Sequence, residues 1–361
     1  MSFFSAVHGQ EFFRVFLKGR GFGLAAAACI ACLLPVGSVR AQSADEVFYK
    51  ANPVTVIVGM SSGTTYDIVG RAVARHIVKH IPGQQKGIPV NRPGAGSLTA
   101  AQQVYSASPR DGTVIGVFNR SAPTGPLLGT APAGMFDATK FNWIGNVGDE
   151  VSVCVTRRET AAPTWAELVS KPMSFGATSM GADTGIFAAV LNNMFGAKLK
   201  IITGYPGGTE ITVALERGEV DGRCGWSLGG IKTSRPQWLS DNTINVPIQL
   251  GLRASPELPG VPLILDKARN DNERRLLRLI FSRQEVAYPL AAPPGTSKER
   301  VQILRSAFDA MVKDPEFLEE AKKMAIEVAP MSGADLEKLM IEIHATPPEL
   351  VSEAQRIMAG K

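Results

Sequence analysis

The residues best suited to chemistry in this sequence are hydroxyls and glycines that follow a short apolar run. Residues 54–58 are valine, threonine and isoleucine, and such β-branched residues favour a strand. The segment Gly59-Met60-Ser61-Ser62-Gly63 comes next, and apolar residues then recur every fourth position from Val69 to Ile81, which indicates a helix. The pattern predicts a strand, a tight loop and a helix start. In an open α/β sheet this arrangement offers backbone N–H groups and hydroxyls to an anion.

The same loop matches G-x-S-x-G, the nucleophile elbow of serine hydrolases. A hydrolase would also need a histidine later in the chain. His344 is the candidate, because His76 and His80 lie on the helix that follows the loop itself. The loop also comes only about twenty residues into the exported chain, whereas that fold places its elbow after an upstream oxyanion loop. We favour binding, and a secreted serine hydrolase that uses Ser61 is the alternative.

Other site chemistries find less support. His76 and His80 have helical i, i+4 spacing, but no glutamate lies between them and no third ligand is evident. The segment Gly94-Ala95-Gly96-Ser97-Leu98-Thr99 lacks the last glycine of G-x-G-x-x-G, and there is no Walker lysine pattern. We therefore expect no metal, no nucleotide and no other cofactor.

The N-terminus reads as an export signal. Arg14, Lys18 and Arg20 precede the apolar stretch 21–37, and Val39-Arg40-Ala41 places small residues before a cleavage site. We expect residues 1–41 to be a signal peptide that is removed from a periplasmic protein. The remaining chain has 34 basic and 32 acidic residues, a balance that does not suggest nucleic-acid binding.

Two of the four cysteines remain after this cleavage, Cys154 and Cys224. An oxidising compartment permits a disulfide between them. Two buried free thiols are also consistent with the sequence.

Strands alternate with helices along the rest of the chain, which predicts mainly parallel sheets covered by helices. The pattern changes to extended segments between 141 and 156, and an apolar strand at 286–292 suggests a return. We therefore predict a first lobe from 42–143 plus 286–361 and a second lobe from 144–285. The C-terminal helices are expected to pack on the first lobe. Four strand-end loops, two in each lobe, are rich in Gly, Ser and Thr and could hold a small acid with neutral donors.

Several motifs in chain order resemble one known family. They are the segment 54–67 and the sequences Asn91-Arg92-Pro93-Gly94-Ala95-Gly96, Asp111-Gly112-Thr113, Gly204-Tyr205-Pro206-Gly207-Gly208, Gly218-Glu219-Val220-Asp221, Leu258-Pro259-Gly260-Val261-Pro262 and Ala292-Pro293-Pro294-Gly295-Thr296. They look like the motifs of the Bug or TctC-type receptors, the periplasmic substrate-binding proteins of tripartite tricarboxylate transporters.

The resemblance implies a two-lobed, type II periplasmic-binding-protein fold of the Venus-flytrap kind, with no catalysis. Such a protein captures a small organic carboxylate by hinge closure and delivers it to integral membrane subunits. We expect a monomer, and an orphan sensory receptor is a further alternative. The ligand-binding residues that the resemblance implies are Ser61, Ser62, Gly63, Thr64, Thr65, Asp67, Gly94, Ala95, Gly96, Ser97, Thr178, Ser179, Gly181, Ala182, Asp183, Tyr205, Gly207 and Gly208.

The chain also departs from that family at three of these loops. The first loop has hydroxyls where the family usually has proline and glycine, Ser97 replaces a second glycine, and Pro206 stands where a lysine is common. More hydroxyls and one fewer cation suggest a ligand with less charge than a dicarboxylate or tricarboxylate, such as a monocarboxylate or an aromatic acid.

Overall fold

A computed structural model describes residues 43–83, 86–160 and 162–359, so the predicted signal peptide lies outside the described residues. Two β-sheets organise these residues. The first sheet has six strands in the order β11-β4-β10-β3-β1-β2. Its strands in chain order are β1 (Val54–Val58), β2 (Gly87–Asn91), β3 (Val114–Val117), β4 (Asn142–Asn146), β10 (Pro289–Ala292) and β11 (Met331–Ser332).

The second sheet is built from the middle of the chain. It has five strands in the order β7-β6-β8-β5-β9. Its strands are β5 (Ser152–Arg157), β6 (Met173–Gly176), β7 (Leu199–Ile202), β8 (Gly222–Ser227) and β9 (Ile244–Leu250). The two-lobed α/β class predicted from the sequence is confirmed.

Strand direction identifies where the chain crosses between the sheets. β1 runs parallel to β2 and β3, and β6 runs parallel to β7 and β8. In contrast, β5 is antiparallel to both its neighbours, and so is β10. These are the strands that enter each sheet just after a crossing.

Helices cover both sheets. Gly196 and Gly218 end α5 and α6 with φ angles of 71° and 75°, a conformation in which an L side chain would be strained. The helices are α1 (Ala44–Ala51), α2 (Thr65–His76), α3 (Leu98–Ser106), α4 (Trp165–Ser170), α5 (Asp183–Phe195), α6 (Gly208–Arg217), α7 (Leu228–Ser234), α8 (Gln237–Ser240), α9 (Asp271–Phe281), α10 (Lys298–Met311), α11 (Pro315–Lys323), α12 (Gly333–His344) and α13 (Pro348–Ala359).

The C-terminal helices divide between the sheets. α10 and α12 pack on β4, and α11 packs on α2. The last helix, α13, packs instead on α5 and α9, and Asn193 Nδ2 on α5 donates to the Ile357 carbonyl at 2.7 Å. The prediction that the tail packs on the first lobe is therefore wrong for most of the contacts of α13, although Gln355 Nε2 also donates to the Leu127 carbonyl of the first lobe at 2.8 Å. The apolar face of α13, which includes Val351 and Ile357, is buried against helices that the sequence pattern could not identify as its neighbours.

The structure joins Cys154 and Cys224 in a disulfide that links β5 to β8 across a sequence separation of 70 residues. Both cysteines are fully buried. Across the described ranges, no helix has the length and apolar character to cross a membrane. The same residues contain no cluster of three or more His, Cys, Asp or Glu side chains that could hold a metal.

Candidate functional site

The first predicted loop, residues 61–65, is organised by Asp67. The Asp67 carboxylate is buried and accepts hydrogen bonds from Gly63 N at 2.8 Å, Arg71 Nε at 2.9 Å and Asn91 Nδ2 at 2.8 Å. Burial raises the pKa of Asp67, but these bonds outweigh it and lower the pKa to about 2. The buried Asp67 thus stabilises the loop from the protein interior, while the side chains of Ser61 and its neighbours lie at the surface.

Ser61 has no activating base among the described residues. His76 and His80 bind carboxylates of α11 and its N-cap, at 2.7 Å and 3.0 Å. His344 Nδ1 donates to the carbonyl of Met340 at 2.8 Å, one turn earlier in its own helix. The structure therefore brings none of these histidines to Ser61, and general-base activation of its hydroxyl finds no support.

The second predicted loop, residues 94–97, has an unusual backbone. All four residues have positive φ, including Ala95 at 45° and Ser97 at 78°. Non-glycine residues in this region are strained and cluster at functional sites. Ser97 is buried, and its Oγ accepts from Asn119 N at 2.9 Å. This bond ties the loop to the end of β3, which offsets part of the strain.

The two predicted loops of the second sheet lie side by side. β6 and β7 are parallel neighbours, so their carboxyl ends meet at one edge. Thr178 N donates to Thr184 Oγ1 at 3.0 Å, and Gly204 N donates to the Thr178 carbonyl at 3.4 Å. The loop before α5 is therefore in direct contact with the loop before α6.

A cavity of about 480 Å³ brings together loops from both sheets. The first sheet supplies Ala95 and Gly96, and the second supplies residues 178–184, except Met180. Polar groups of Asn119, Ser121 and Thr130 also line it, beside the apolar side chain of Leu98. The predicted residues that line this cavity are Ala95, Gly96, Thr178, Ser179, Gly181, Ala182 and Asp183.

The other predicted residues lie elsewhere. Thr65 lines a separate cavity of about 390 Å³ beside the chain crossings, together with Glu150, Ser227 and Tyr288. The loop 205–208 borders neither of these two cavities. Gly204, the residue before this loop, contacts Thr178 of the 480 Å³ cavity. Neither cavity is lined by Ser61, Ser62, Gly63, Thr64, Asp67, Gly94 or Ser97.

Sequence reasoning missed a buried ionic cluster at the cavity. Arg120 follows β3 of the first sheet, and its Nε and Nη2 bind the carboxylate of Asp183 at 2.9 Å and 2.7 Å. Arg120 Nη1 also pairs with Glu150. Arg283 Nη1, from the segment after α9, binds the other Asp183 oxygen at 3.0 Å. Arg120 thus joins the first sheet to α5 of the second sheet.

Burial and charge oppose each other in this cluster. Burial raises the pKa of Asp183, but Arg120 and Arg283 outweigh it and hold the pKa below its usual value. Burial likewise lowers the pKa of Arg120, and Glu150 and Asp183 raise it further than burial lowers it. The predicted ligand residue Asp183 therefore has its charge balanced within the protein.

Comparison with solved structures identifies the architecture. A TctC solute-binding protein from Polaromonas superposes with a TM-score of 0.65 at 20% identity, over 84% of this chain and 99% of that one. The periplasmic binding protein BugD gives 0.62 at 22% identity, over 84% and 97%. The chain has the fold of the TctC and Bug receptors. The resemblance seen in the sequence motifs is thus confirmed at the level of the fold.

A third solved structure carries a ligand. The R. palustris protein Rpa4515 with adipate superposes with a TM-score of 0.61 at 20% identity, over 84% of this chain and 97% of that chain. No protein-family profile matches the sequence, and no curated protein matches it significantly.

Proposed function

We propose that this protein is an exported receptor that captures a small organic carboxylate between its two sheets. It then delivers the acid to the membrane subunits of a tripartite tricarboxylate-type transporter. The observation that carries the proposal is the cavity of about 480 Å³ whose wall combines glycine and hydroxyl loops from both sheets. Ligand that touches both walls would stabilise the closed arrangement over the open one, as hinge closure requires.

The lining of this cavity supports an acid of low charge. Among the described residues that line this cavity, Asp183 is the sole charged one, and Arg120 and Arg283 already balance it. Hydroxyls and backbone N–H groups of the lining can hydrogen-bond the acid without adding a further buried charge, whose desolvation would cost several kcal/mol. A second carboxylate would find no unpaired cation in the lining, so a monocarboxylate fits better than adipate, the acid held by the R. palustris protein.

A thermal-shift screen against organic acids tests the receptor function. Ligand at about 100 times its Kd should raise the free energy of unfolding by about 2.7 kcal/mol. The matched pair hexanoate and adipate separates one carboxylate from two at equal chain length, and hexanoate should give the larger shift. A flat response to mono-, di- and tricarboxylates would contradict the proposal.

The same protein preparation tests the hydrolase alternative. Ser61→Ala should leave ester turnover at the background rate of the unaltered protein, because no base activates the hydroxyl. Covalent labelling of Ser61 by a fluorophosphonate probe would show that the residue is a nucleophile and would refute the binding role. For the transport step, cells that lack the protein should lose uptake of the acid found in the screen. Normal uptake in such cells would favour a sensory role.

A further inference from the structure

Arg223, on β8, carries a buried positive charge that no sequence motif indicated. Its side chain is 4% exposed. Nη1 donates to the Gly208 carbonyl at 2.7 Å and to Thr212 Oγ1 at 2.8 Å, both in the first turns of α6. The guanidinium also lies over the ring of Trp226, 4.4 Å from its centre.

This charge has no counter-ion. Among the described residues no carboxylate pairs with Arg223, and its Nε is buried without a hydrogen-bond partner. Burial lowers the pKa of Arg223 to about 9, so the side chain stays protonated at neutral pH. A buried cation that meets only neutral acceptors is costly, and an anion that binds beside it would recover part of this cost.

The guanidinium lies at the start of a helix. Gly207, the N-cap of α6, has no side chain that could cap the helix, so the first N–H groups of α6 are available to an acceptor. Arg223 Nη2 lies 3.0 Å from the point where a Cβ on Gly208 would stand, which is why a glycine fits there. One carboxylate oxygen of Glu210 lies 3.0 Å from the point where a Cβ on Gly207 would stand.

We propose that Arg223 is the specificity-determining residue that recognises the ligand carboxylate, together with the N–H groups at the start of α6. The helix end and the guanidinium both favour an anion, and they act from one side of the same loop. Gly204, next to this loop, contacts Thr178 of the cavity lining, and the uncharged part of the acid would extend in that direction. The inference rests on the proposed function for the statement that the anion is a carboxylate ligand.

The variant Arg223→Met tests whether Arg223 serves to recognise the carboxylate or to stabilise the fold. Methionine keeps the contact with Trp226 and removes the charge. Thr212 Oγ1 itself donates to the Gly208 carbonyl at 2.9 Å, so that acceptor keeps a partner in the variant. The midpoint of unfolding should therefore stay equal or rise, because removal of an uncompensated buried charge is often neutral or stabilising. A merely structural arginine would instead lower the midpoint.

The binding probe is acetate, a carboxylate that carries one methyl group, titrated against chloride at constant ionic strength. Thermal unfolding and the tryptophan fluorescence, to which Trp226 contributes, report the binding. Acetate should stabilise the unaltered protein. Arg223→Met should raise the Kd for acetate about tenfold to a hundredfold, which corresponds to the loss of one charge-assisted hydrogen bond. Arg223→Lys keeps the charge and should keep part of the affinity. Equal acetate responses in the unaltered protein and Arg223→Met, including no response in either, would overturn the inference.

Glu210→Gln is the matched variant and also covers the case in which Arg223→Met does not fold. It leaves Arg223 in place and removes the competing carboxylate beside Gly207, so it should bind acetate more tightly. Equal or weaker binding would contradict the inference. The outcome is separable from that of the receptor function. If an acid from the panel binds Arg223→Met as tightly as it binds the unaltered protein, the role of Arg223 is refuted and the receptor function stands. If no acid of the panel binds but acetate gives a response that depends on Arg223, the receptor function is refuted and the role of Arg223 stands.

Discussion

Removal of the charge of Asp183 should destabilise the protein strongly. Asp183→Asn removes the negative charge that Arg120 contacts at 2.9 Å and 2.7 Å and Arg283 contacts at 3.0 Å. The amide keeps a single carbonyl oxygen, so it can accept from one of the two arginines and not from both. Arg120 would retain Glu150. Arg283 is 1% exposed, and its Nε and Nη2 already lack partners, so it would become an uncompensated buried cation.

The size of the loss follows from that geometry. Breaking a buried ion pair by removal of one partner costs about 3–5 kcal/mol. At about 2 °C per kcal/mol for a chain of this size, the thermal midpoint should fall by about 6–10 °C. Urea unfolding at neutral pH measures the free energy directly, and Asp149→Asn is the control, because its partner Arg253 is 67% exposed and the expected cost is about 1 kcal/mol or less.

Acid should diminish the difference between Asp183→Asn and the unaltered protein. The pKa of Asp183 is lowered by folding, so its contribution is present above the unfolded value of 3.8 and is lost as the pH falls through the folded value. The unaltered protein should therefore lose more stability than the variant on acidification. A neutral-pH cost below about 1 kcal/mol, or a difference that grows with acid, would refute the ionic bridge.

Three further changes test other parts of the fold. Reduction of the Cys154–Cys224 disulfide, which closes a loop with a sequence separation of 70 residues, should cost up to about 4 kcal/mol, and equal urea midpoints with and without reductant would contradict this. Ser97→Ala should destabilise more than Ser97→Gly, because both lose the bond from Asn119 but only glycine relieves the positive φ of 78°; the reverse order of urea midpoints would argue against strain. Asp67→Asn should cost about 1–3 kcal/mol at neutral pH, and because the pKa of Asp67 is lowered to about 2, unfolding measured from pH 4 downwards should show the unaltered protein approaching the variant.

The sequence predicted the strand and helix starts well, because local signals determine them. β1 and α2 lie in the segment 54–81 where the pattern indicated a strand, a loop and a helix, and Gly196 and Gly218 end their helices with positive φ. The loop glycines and hydroxyls were visible for the same reason. Each is a short-range feature that the neighbouring residues specify.

The ionic centre could not be predicted in this way. Arg120 and Asp183 are 63 residues apart, and Arg283 and Asp183 are 100 apart, so their pairing depends on how two sheets meet. Arginine is a residue type usually found at the surface, yet Arg283 is 1% exposed. A charged residue three positions after β3 was the available signal for Arg120. Arg223 lies in β8 between glycine and cysteine and gave no signal of its own.

The position of α13 has a mechanical consequence. α12 is held on β4 of the first sheet, whereas α13 is held on α5 and α9 beside the second. The three residues between them, 345–347, form a third connection in addition to the two that enter β5 and β10. Any rotation of one sheet relative to the other must therefore also bend this connector or separate α13 from α5 and α9. If the two sheets rotate as the proposed hinge closure requires, the C-terminal segment would act as a strap that limits the opening angle, and a tag or truncation there would alter how wide the sheets open.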